Sequence, residues 1–448
     1  TPTPTLEPTP TLTPTPTPIP TLSPERVGGV EGIPDPKETN PELFDLKNSD
    51  APIPQFVRAM EMGGIKVNPQ EVVANLQYHP ITGVDGKQYI IGTYNLDPDP
   101  NKSGETLEGP IPLMIWDEGK GWRKIHTGNL SEITDVPFGL GNILEGKYYY
   151  YKFTPEEKKE QIELSRVYSF GDAFQASAIL WKGENKYDWS RPDYFVNLLK
   201  NKGGRIRGGH LVWDKDFFPE WFNTLKDKAL KNPDAYRERF INILSNYIKA
   251  AVRRYKDNVH EWSLLNEIAG PNGLDQNNFF VKIIGPELPR IAIEAVRSAD
   301  PTARIIINDF FVEFPGRPKS EGYYRLIKQL REQGLLNEND IIGFQFHISA
   351  RDPQLQNLSS AKKIIKENFR RFIDLGVKVA ITELDIMELW SNDPSSLIKQ
   401  AKMYETVADA CFELNLEYGK PVCDSIVVWG LADNSTWLYY VFDDPGYP

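Results

Sequence analysis

Two glutamates at the ends of short apolar runs could act together on a glycosidic bond. The run at residues 262–267 closes in Asn-Glu, and the run at residues 381–386 carries Glu383 at its third position. Cleavage of an acetal needs one carboxyl to protonate the leaving oxygen and a second to meet the developing oxocarbenium ion. Glu267 and Glu383 therefore predict glycoside hydrolysis, provided that the fold brings both carboxyls to one pocket.

From about residue 127 the chain alternates short apolar runs with longer amphipathic segments. The short runs lie at residues 137–143, 173–181, 205–213, 260–267, 303–309, 341–348, 377–384 and 425–431. Helix-like segments lie between them, for example at residues 233–255, 281–298, 323–333, 361–375 and 396–414. Apolar strands that alternate with helices indicate a covered parallel sheet, and eight units favour a closed (β/α)8 barrel (TIM barrel) over an open doubly wound sheet.

In such a barrel the active site lies at the carboxyl ends of the strands, so the residues that close each run are the candidates. Strand six closes with Gln345 and His347, and strand eight closes with Trp429, which Trp437 follows. Each of these residues alone has an ordinary explanation, such as a solvated rim or a hydrogen-bonded core position. Their combination with the two glutamates, on four different strands, favours a catalytic site.

The part of the chain from about residue 127 to the end resembles glycoside hydrolase family 10, the retaining endo-1,4-β-xylanases. Five strand segments are similar to the family's motifs and follow in the same order, at residues 207–213, 262–267, 343–347, 381–386 and 428–437. The resemblance implies a (β/α)8 fold and cleavage of xylan by double displacement, without a cofactor.

The resemblance also implies roles for the residues at the matching positions. Glu267 is implied to be the general acid/base, Glu383 the nucleophile, and Asn266 the ligand of the sugar 2-hydroxyl, with the two carboxyls roughly 5 Å apart. Gln345 and His347 are implied to orient Glu383 or that hydroxyl. The other implied substrate-binding residues are Trp181, His210, Trp213, Trp429 and Trp437. We expect burial and the charge of Glu383 to raise the pKa of Glu267, because it must act as an acid.

The sequence departs from the family pattern at strands two and three. The family carries a Glu-Asn pair and a Lys before the Trp of strand two, whereas residues 176–181 read Ala-Ser-Ala-Ile-Leu-Trp. In strand three the usual Arg-Gly-His is Arg-Gly-Gly, which places His210 one position late, and Asp214 replaces a frequent His. A shift of one residue turns a strand side chain to the opposite face, unless a bulge at Gly209 restores it.

These departures leave three hypotheses open. The first is a retaining endo-β-1,4-xylanase, and the second is a barrel of the same mechanism that cleaves another β-glycan, such as glucan or mannan. The third is a carbohydrate-binding barrel without catalysis, against which the two intact glutamates argue. The expected partner in every case is a polysaccharide.

Residues 1–24 contain 9 Thr and 9 Pro and predict an extended, disordered linker. Such tracts are typical of exported proteins that are tethered to an anchor or a second module, so we expect a secreted or cell-surface protein. The position of Cys423 resembles the second half of a family disulfide, and Cys411 is close enough to be its partner. An oxidising compartment favours this disulfide over two buried thiols.

Residues 25–126 read as a small β-rich segment of unknown role, followed by the catalytic barrel at residues 127–448. The short apolar runs of the segment at residues 25–126, at residues 89–94 and 111–116, are bounded by Pro and Gly and predict hairpins. Trp116 and Trp122 could stack on a sugar, but packing inside the protein is the favoured interpretation, since aromatic side chains are mostly buried.

The composition disfavours several other functions. The chain has 51 basic and 62 acidic side chains, a net charge of −11, which disfavours binding to nucleic acid. Its sequence contains no apolar run of 18 residues that could span a bilayer. The 2 Cys and 5 His show no zinc-type spacing, and no Gly-x-Gly-x-x-Gly turn follows the first strand. We therefore expect neither a metal nor a nucleotide cofactor.

Overall fold

The computed structural model describes residues 35–48, 51–54, 56–57, 68–82, 88–94, 111–117, 121–124, 138–141, 162, 165–171, 173–177, 180–215, 218–387 and 394–430. Trp437 and the Thr/Pro tract at residues 1–24 lie outside these ranges. What the sequence predicts for them therefore stays a prediction.

An antiparallel sheet lies in the N-terminal part of the chain. Its four strands pair in chain order and are Gln77–Thr82, Gln88–Tyr94, Ile111–Asp117 and Gly121–Lys124. Ile90, Leu113 and Met114 are buried in a hydrophobic cluster that also contains Val72. Trp116 is partly buried against this cluster, which is a packing position.

Parallel strands form a closed barrel in the C-terminal part of the chain. Those of the described residues, called strands one to eight below, are Phe138–Leu140, Val167–Ser169, Arg205–Val212, Val259–Asn266, Arg304–Asp309, Ile341–Phe344, Lys378–Met387 and Cys423–Val428. Each strand pairs with the next, and strand eight pairs with strand one, where Ile426 lies opposite Phe138. The predicted (β/α)8 barrel is confirmed.

The prediction of strand two was wrong in position. The sequence predicts this strand at residues 173–181, but strand two is Val167–Ser169. The described residues of the predicted run, 173–177 and 180, form turns and bends before a short hairpin of Trp181–Gly183 and Lys186–Tyr187. Phe174, Leu180 and Trp181 are nevertheless buried. An apolar run indicates that its residues are buried, but it does not by itself predict their backbone conformation.

Helices follow most barrel strands, as the periodicity predicts. The described helices are Pro36–Thr39, Pro69–Ala74, Ser190–Leu199, Glu220–Lys231, Pro233–Tyr255, Phe279–Ile284, Leu288–Ala299, Pro318–Glu332, Leu358–Ile373 and Pro394–Tyr418. The helix predicted at residues 281–298 is interrupted, because Gly285 has a φ of 88° and Pro286 follows it. None of these helices is both long and apolar enough to cross a bilayer.

A disulfide joins Cys411 to Cys423 within the barrel. Their Cα atoms are 5.4 Å apart, and the bond links the helix Pro394–Tyr418 to the start of strand eight. The loop that it closes is short, with a sequence separation of 12. Both cysteines are fully buried.

A cluster of charged side chains lies at the amino ends of the strands. Arg207 Nε donates to Glu261 Oε1 at 3.0 Å, and these two side chains are 2% and 1% exposed. Arg304 Nη1 donates to Glu261 Oε2 at 3.1 Å, and Arg205 Nη2 donates to Asp424 Oδ2 at 2.8 Å. This cluster, called the amino-end cluster below, lies at the end of the barrel opposite to Glu267 and Glu383.

Candidate active site

Glu267 and Glu383 both lie at the carboxyl end of the barrel, where they are joined by a chain of side-chain amides. Glu267 directly follows strand four, with a φ of 56°, and Glu383 lies in the second half of strand seven. Asn308 Nδ2, at the end of strand five, donates to Glu383 Oε1 at 2.6 Å and to Asn266 Oδ1 at 2.9 Å. Gln345 Nε2 donates to Asn266 Oδ1 at 3.2 Å and to Glu267 Oε1 at 3.4 Å. Four strands thus direct polar groups to one pocket.

Glu383 is buried, and each of its carboxylate oxygens has a polar side chain beside it. His347 Nε2 lies 3.2 Å from Glu383 Oε2, so that Asn308 and His347 each hold one carboxylate oxygen. Thr382 Oγ1 donates to Asn308 Oδ1 at 2.5 Å and fixes which end of that amide faces Glu383. The carboxylate is therefore oriented from two sides.

His347 bridges two carboxylates. Its Nδ1 donates to Asp385 Oδ2 at 2.8 Å, while its Nε2 faces Glu383. Burial acts to lower the pKa of His347, but Asp385 and Glu383 outweigh burial and raise the pKa to about 10. The imidazole is consequently a cation at neutral pH. Asp385 accepts a hydrogen bond from the N–H group that does not face Glu383.

The charge on His347 predicts how stability depends on pH. The pKa of His347 is about 10 in the fold against 6.5 as its ordinary value, so its contribution is complete below pH 6.5 and is lost as the pH rises through 10. We expect His347→Asn to lower the free energy of unfolding by roughly 2–3 kcal/mol at pH 6 and by much less at pH 10. Urea denaturation of both proteins at several pH values measures this difference, and a difference that is constant with pH would contradict it.

His210 reaches the same pocket through a bulge in strand three. Gly209 lies opposite Ser263 and Val212 opposite Leu265, so strand three has one more residue than strand four over this interval. Gly209 has a φ of 151°, and a Cβ there would lie 2.5 Å from the Cβ of Ser263, so only glycine fits. His210 Nε2 lies 3.6 Å from Glu383 Oε1. The late position of His210 in the sequence is thus compensated by the bulge.

The ring of His210 is neutral at neutral pH. Burial lowers the pKa of His210, although the charges of Glu383 and Glu267 oppose this effect. Its Nδ1 lies 2.6 Å from Ser263 Oγ on strand four. Both glutamates therefore act electrostatically on one buried imidazole, which is a further sign that they share a pocket.

Glu267 has an unexpected partner. Lys215 Nζ donates to Glu267 Oε2 at 2.7 Å. Burial acts to raise the pKa of Glu267, but Lys215, with the neighbouring Trp213 and Gln345, outweighs burial and lowers it. The expected rise in the pKa of Glu267 was therefore wrong for the protein without substrate, because the sequence did not indicate that a lysine would face this carboxylate.

Asp309 supports the backbone that carries Glu267. The carboxylate lies at the end of strand five, where its Oδ2 accepts a hydrogen bond from the backbone N–H of Ala269 at 2.8 Å. Lys319 Nζ lies 2.6 Å from its Oδ1. Burial raises the pKa of Asp309 to about 6, although Lys319 opposes this effect. Asp309 thus ties the segment after Glu267 to the neighbouring strand.

The predicted tryptophans occupy different kinds of position. Trp213 is half-buried beside His210, with ring centroids 5.9 Å apart, and it lies next to Glu267. Trp429 is 8% exposed at the end of strand eight, where its ring packs on Gly141. Both lie at the carboxyl end of the barrel.

Trp181 was wrongly predicted as a substrate-binding residue. It is 1% exposed and packs edge-on against Phe222 and Tyr247 and in a stack with Trp221. A sugar cannot reach an aromatic face that is covered by other rings. Trp181 is a core residue that joins the hairpin after strand two to two helices.

The sequence did not identify Asn308, Asp385 and Lys215 as residues of the site, nor Asp309, which supports it. Asn308 and Asp385 lie within or at the end of predicted strands, and their polar character at strand ends was an available signal. Lys215 follows Trp213 by two residues in a loop, and its partner Glu267 is 52 residues away, so no local pattern indicates the pair. Among the described residues, no group of three His, Cys, Asp or Glu is arranged to hold a metal ion.

Comparison with known proteins places this pocket in a family. The sequence model described as "Glycosyl hydrolase family 10" matches residues 172–448. The chain is 32% identical over 276 residues to endo-1,4-beta-xylanase C of Paenibacillus barcinonensis, covering 57% of this chain and 24% of that protein. It is 31% identical over 283 residues to the thermostable celloxylanase of Thermoclostridium stercorarium, covering 58% and 68%, respectively.

A solved structure gives a similar result. The crystal structure of xylanase 10B from Thermotoga petrophila RKU-1 in complex with xylobiose superposes with a TM-score of 0.59 and 25% sequence identity, covering 71% of this chain and 90% of that one. The chain spans only about a quarter of the length of the Paenibacillus barcinonensis protein. The family match, however, covers more than half of this chain and includes both glutamates. The chain therefore belongs to glycosyl hydrolase family 10.

Proposed function

We propose that the protein is a retaining endo-1,4-β-xylanase in which Glu383 is the nucleophile and Glu267 the general acid/base. The observation that carries this proposal is the pair of carboxylates at the ends of strands four and seven, connected through Asn308, Asn266 and Gln345. The family and the names of its relatives support xylan as the substrate.

The proposed reaction has two steps. In the first, a Glu383 oxygen attacks the anomeric carbon and forms a glycosyl ester, while the bond from that carbon to the glycosidic oxygen breaks. The glycosidic oxygen leaves with the bonding electrons and takes a proton from Glu267. In the second, Glu267 removes a proton from water as the water displaces the ester. A separation of about 5–5.5 Å between the carboxyls is what this mechanism requires.

The neighbouring polar groups have matching roles in this proposal. The hydrogen bonds from Asn308 and His347 fix the orientation of the Glu383 carboxyl, which pre-organises the attack. The Oδ1 of Asn266 accepts from Asn308 and Gln345, and this orients the Nδ2 group of Asn266 as a donor for the sugar 2-hydroxyl. Such a contact raises kcat when it strengthens in the transition state.

A second candidate is the same reaction on another β-glycan. The polar residues that the family carries before the Trp matched by Trp181 are replaced by Ala176, Ser177 and Leu180, and all three are buried. Hydrogen bonds to charged groups contribute roughly 1.5–3 kcal/mol each, so the loss of these residues weakens the binding of the xylan sugars that they would contact. One relative carries the name celloxylanase, which also favours a test on glucans.

A panel of glycans separates these candidates. Xylan, mixed-linkage glucan, cellulose and mannan are incubated with the protein, and new reducing ends are measured. We expect the highest rate on xylan, with products that first appear as the β-anomer in NMR spectra, as retention requires. Release from glucan or mannan without release from xylan would favour the second candidate. No release from any glycan would support a binding barrel instead.

We also propose that the protein works outside the cell or at its surface, with residues 1–24 as the linker that tethers it. The Thr/Pro composition of that tract supports this location, and so does the disulfide between Cys411 and Cys423, because disulfides persist in oxidising compartments. Fractionation of the source cells, with detection of the protein by antibody, tests the location.

A further inference from the structure

The strongest unexplained feature of the pocket is the ion pair between Lys215 and Glu267. Lys215 follows strand three, its side chain is 57% exposed, and its Nζ lies 2.7 Å from the Oε2 of Glu267, whose side chain is 12% exposed. The ammonium also lies 4.8 Å from the centre of the Phe310 ring. A partly exposed cation thus covers a nearly buried carboxylate.

Both oxygens of Glu267 face hydrogen-bond donors. Oε2 accepts from Lys215, and Oε1 accepts from Gln345 at 3.4 Å. A neutral carboxyl carries a proton on one oxygen, and that proton cannot point at an N–H group. Gln345 is buried and is also bound to Asn266, so Lys215 is the partner that can leave. The pocket as built therefore fits the ionised form of Glu267.

We propose that Lys215 is a positioning residue that holds Glu267 as the carboxylate that the second step uses. Before the first step, the sugar of the leaving group displaces Lys215 from Glu267. This inference rests on the proposed roles of Glu267 and Glu383. The first step needs one oxygen of Glu267 to meet the glycosidic oxygen. Oε2 is covered by the exposed Lys215, whereas Oε1 is covered by the buried Gln345. The second step needs a base, which is the state that an adjacent ammonium favours.

Other charged groups surround Glu267 and have to be considered in any pH experiment. His210 on strand three interacts electrostatically with Glu267, and Asp214 after that strand and Asp309 on strand five interact with both Glu267 and Lys215. Asp275 acts in turn on Asp214, and Glu383 acts on His210. Burial raises the pKa of Asp214, and Lys215 opposes this effect. Removal of Lys215 therefore affects Asp214 as well, so Glu267 has to be observed directly.

Lys215→Met tests the proposal through the pH dependence of kcat/KM. For a phenyl glycoside, whose poor leaving group needs a proton, the alkaline limb should move to higher pH. The rate above that limb should rise about two- to fivefold, the size of effect that a pair with an exposed partner supports. For a 2,4-dinitrophenyl glycoside, which leaves without a proton, the same variant should equal the wild type in the first step. Lys215→Arg should keep the wild-type profile.

A matched control and a direct titration complete the test. Lys328→Met removes one charge from an exposed lysine that pairs with Glu332 of its own helix, and its profile should be that of the wild type. Carbon-13 NMR of labelled glutamate should show a higher pKa for Glu267 in Lys215→Met. An unchanged titration of Glu267 would overturn the inference. Absence of glycosidase activity in the wild type would instead overturn the proposed function, and the titration would still decide whether Lys215 controls Glu267.

Discussion

Replacement of Glu383 by alanine is expected to reduce glycan cleavage by at least about 10⁴-fold, because the variant lacks the atom that forms the glycosyl ester. The reduction should appear in kcat with every glycan that the wild type cleaves, since the covalent step is common to all of them. The rate of release of reducing ends, measured at saturating substrate, gives the effect.

Two controls separate loss of chemistry from loss of structure. Glu294→Ala removes an exposed carboxylate from the helix Leu288–Ala299 and should retain wild-type activity. Azide should partly restore cleavage of an activated aryl glycoside by Glu383→Ala, because the small anion can occupy the space of the lost carboxylate and attack the same face. The product would then be the α-glycosyl azide. Activity of Glu383→Ala within tenfold of the wild type would exclude Glu383 as the nucleophile.

The sequence predicted the helices and most barrel strands well where the pattern was long and regular. The helix at residues 233–255 is observed with the same bounds, Pro233–Tyr255, because its apolar positions repeat with helical spacing over several turns and a proline begins it. Strands three to eight were located to within a few residues. Strand two was misplaced because its three residues are all buried and show no alternation, and the longer apolar run at residues 173–181 follows it.

The candidate site could be predicted as a location but not as a network. The barrel topology indicates that strand ends meet, which is why Glu267 and Glu383 could be paired without a structure. The hydrogen-bond partners could not be predicted. Asn308 and Glu383 are 75 residues apart, and which side chains pair depends on their rotamers. The direction of the pKa shift of Glu267 was wrong for the same reason, since it depends on Lys215, which lies on a loop.

The charged groups at the two ends of the barrel differ in how accessible they are. At the carboxyl ends the charged groups are arranged around an accessible pocket, as Lys215 and Glu267 illustrate. At the amino ends, Glu261 and Arg207 are almost fully buried and face inward from adjacent strands. We therefore expect the amino-end cluster to stabilise the fold. Substitutions in it should change the free energy of unfolding more than the rate of catalysis.

Glu261→Ala is expected to lower the free energy of unfolding by about 3–5 kcal/mol, the range found when one partner of a buried ion pair is removed. Glu261 accepts from Arg207 and Arg304 and lies 3.7 Å from Arg205, so its loss leaves these guanidiniums to share the carboxylate of Asp424. Denaturation by guanidinium chloride, followed by circular dichroism, measures the change.

The double variant Glu261→Met/Arg207→Met shows whether the unpaired charge is the cause. Removing both partners avoids leaving the Arg207 guanidinium buried without its carboxylate, so the double variant should be more stable than Glu261→Ala alone. Both variants should keep the wild-type kcat at temperatures where they are folded, because Glu267 and Glu383, the proposed catalytic residues, lie at the opposite end of the barrel. A loss below about 1 kcal/mol in Glu261→Ala would show that the amino-end cluster contributes little, and that packing around the barrel alone sustains the fold.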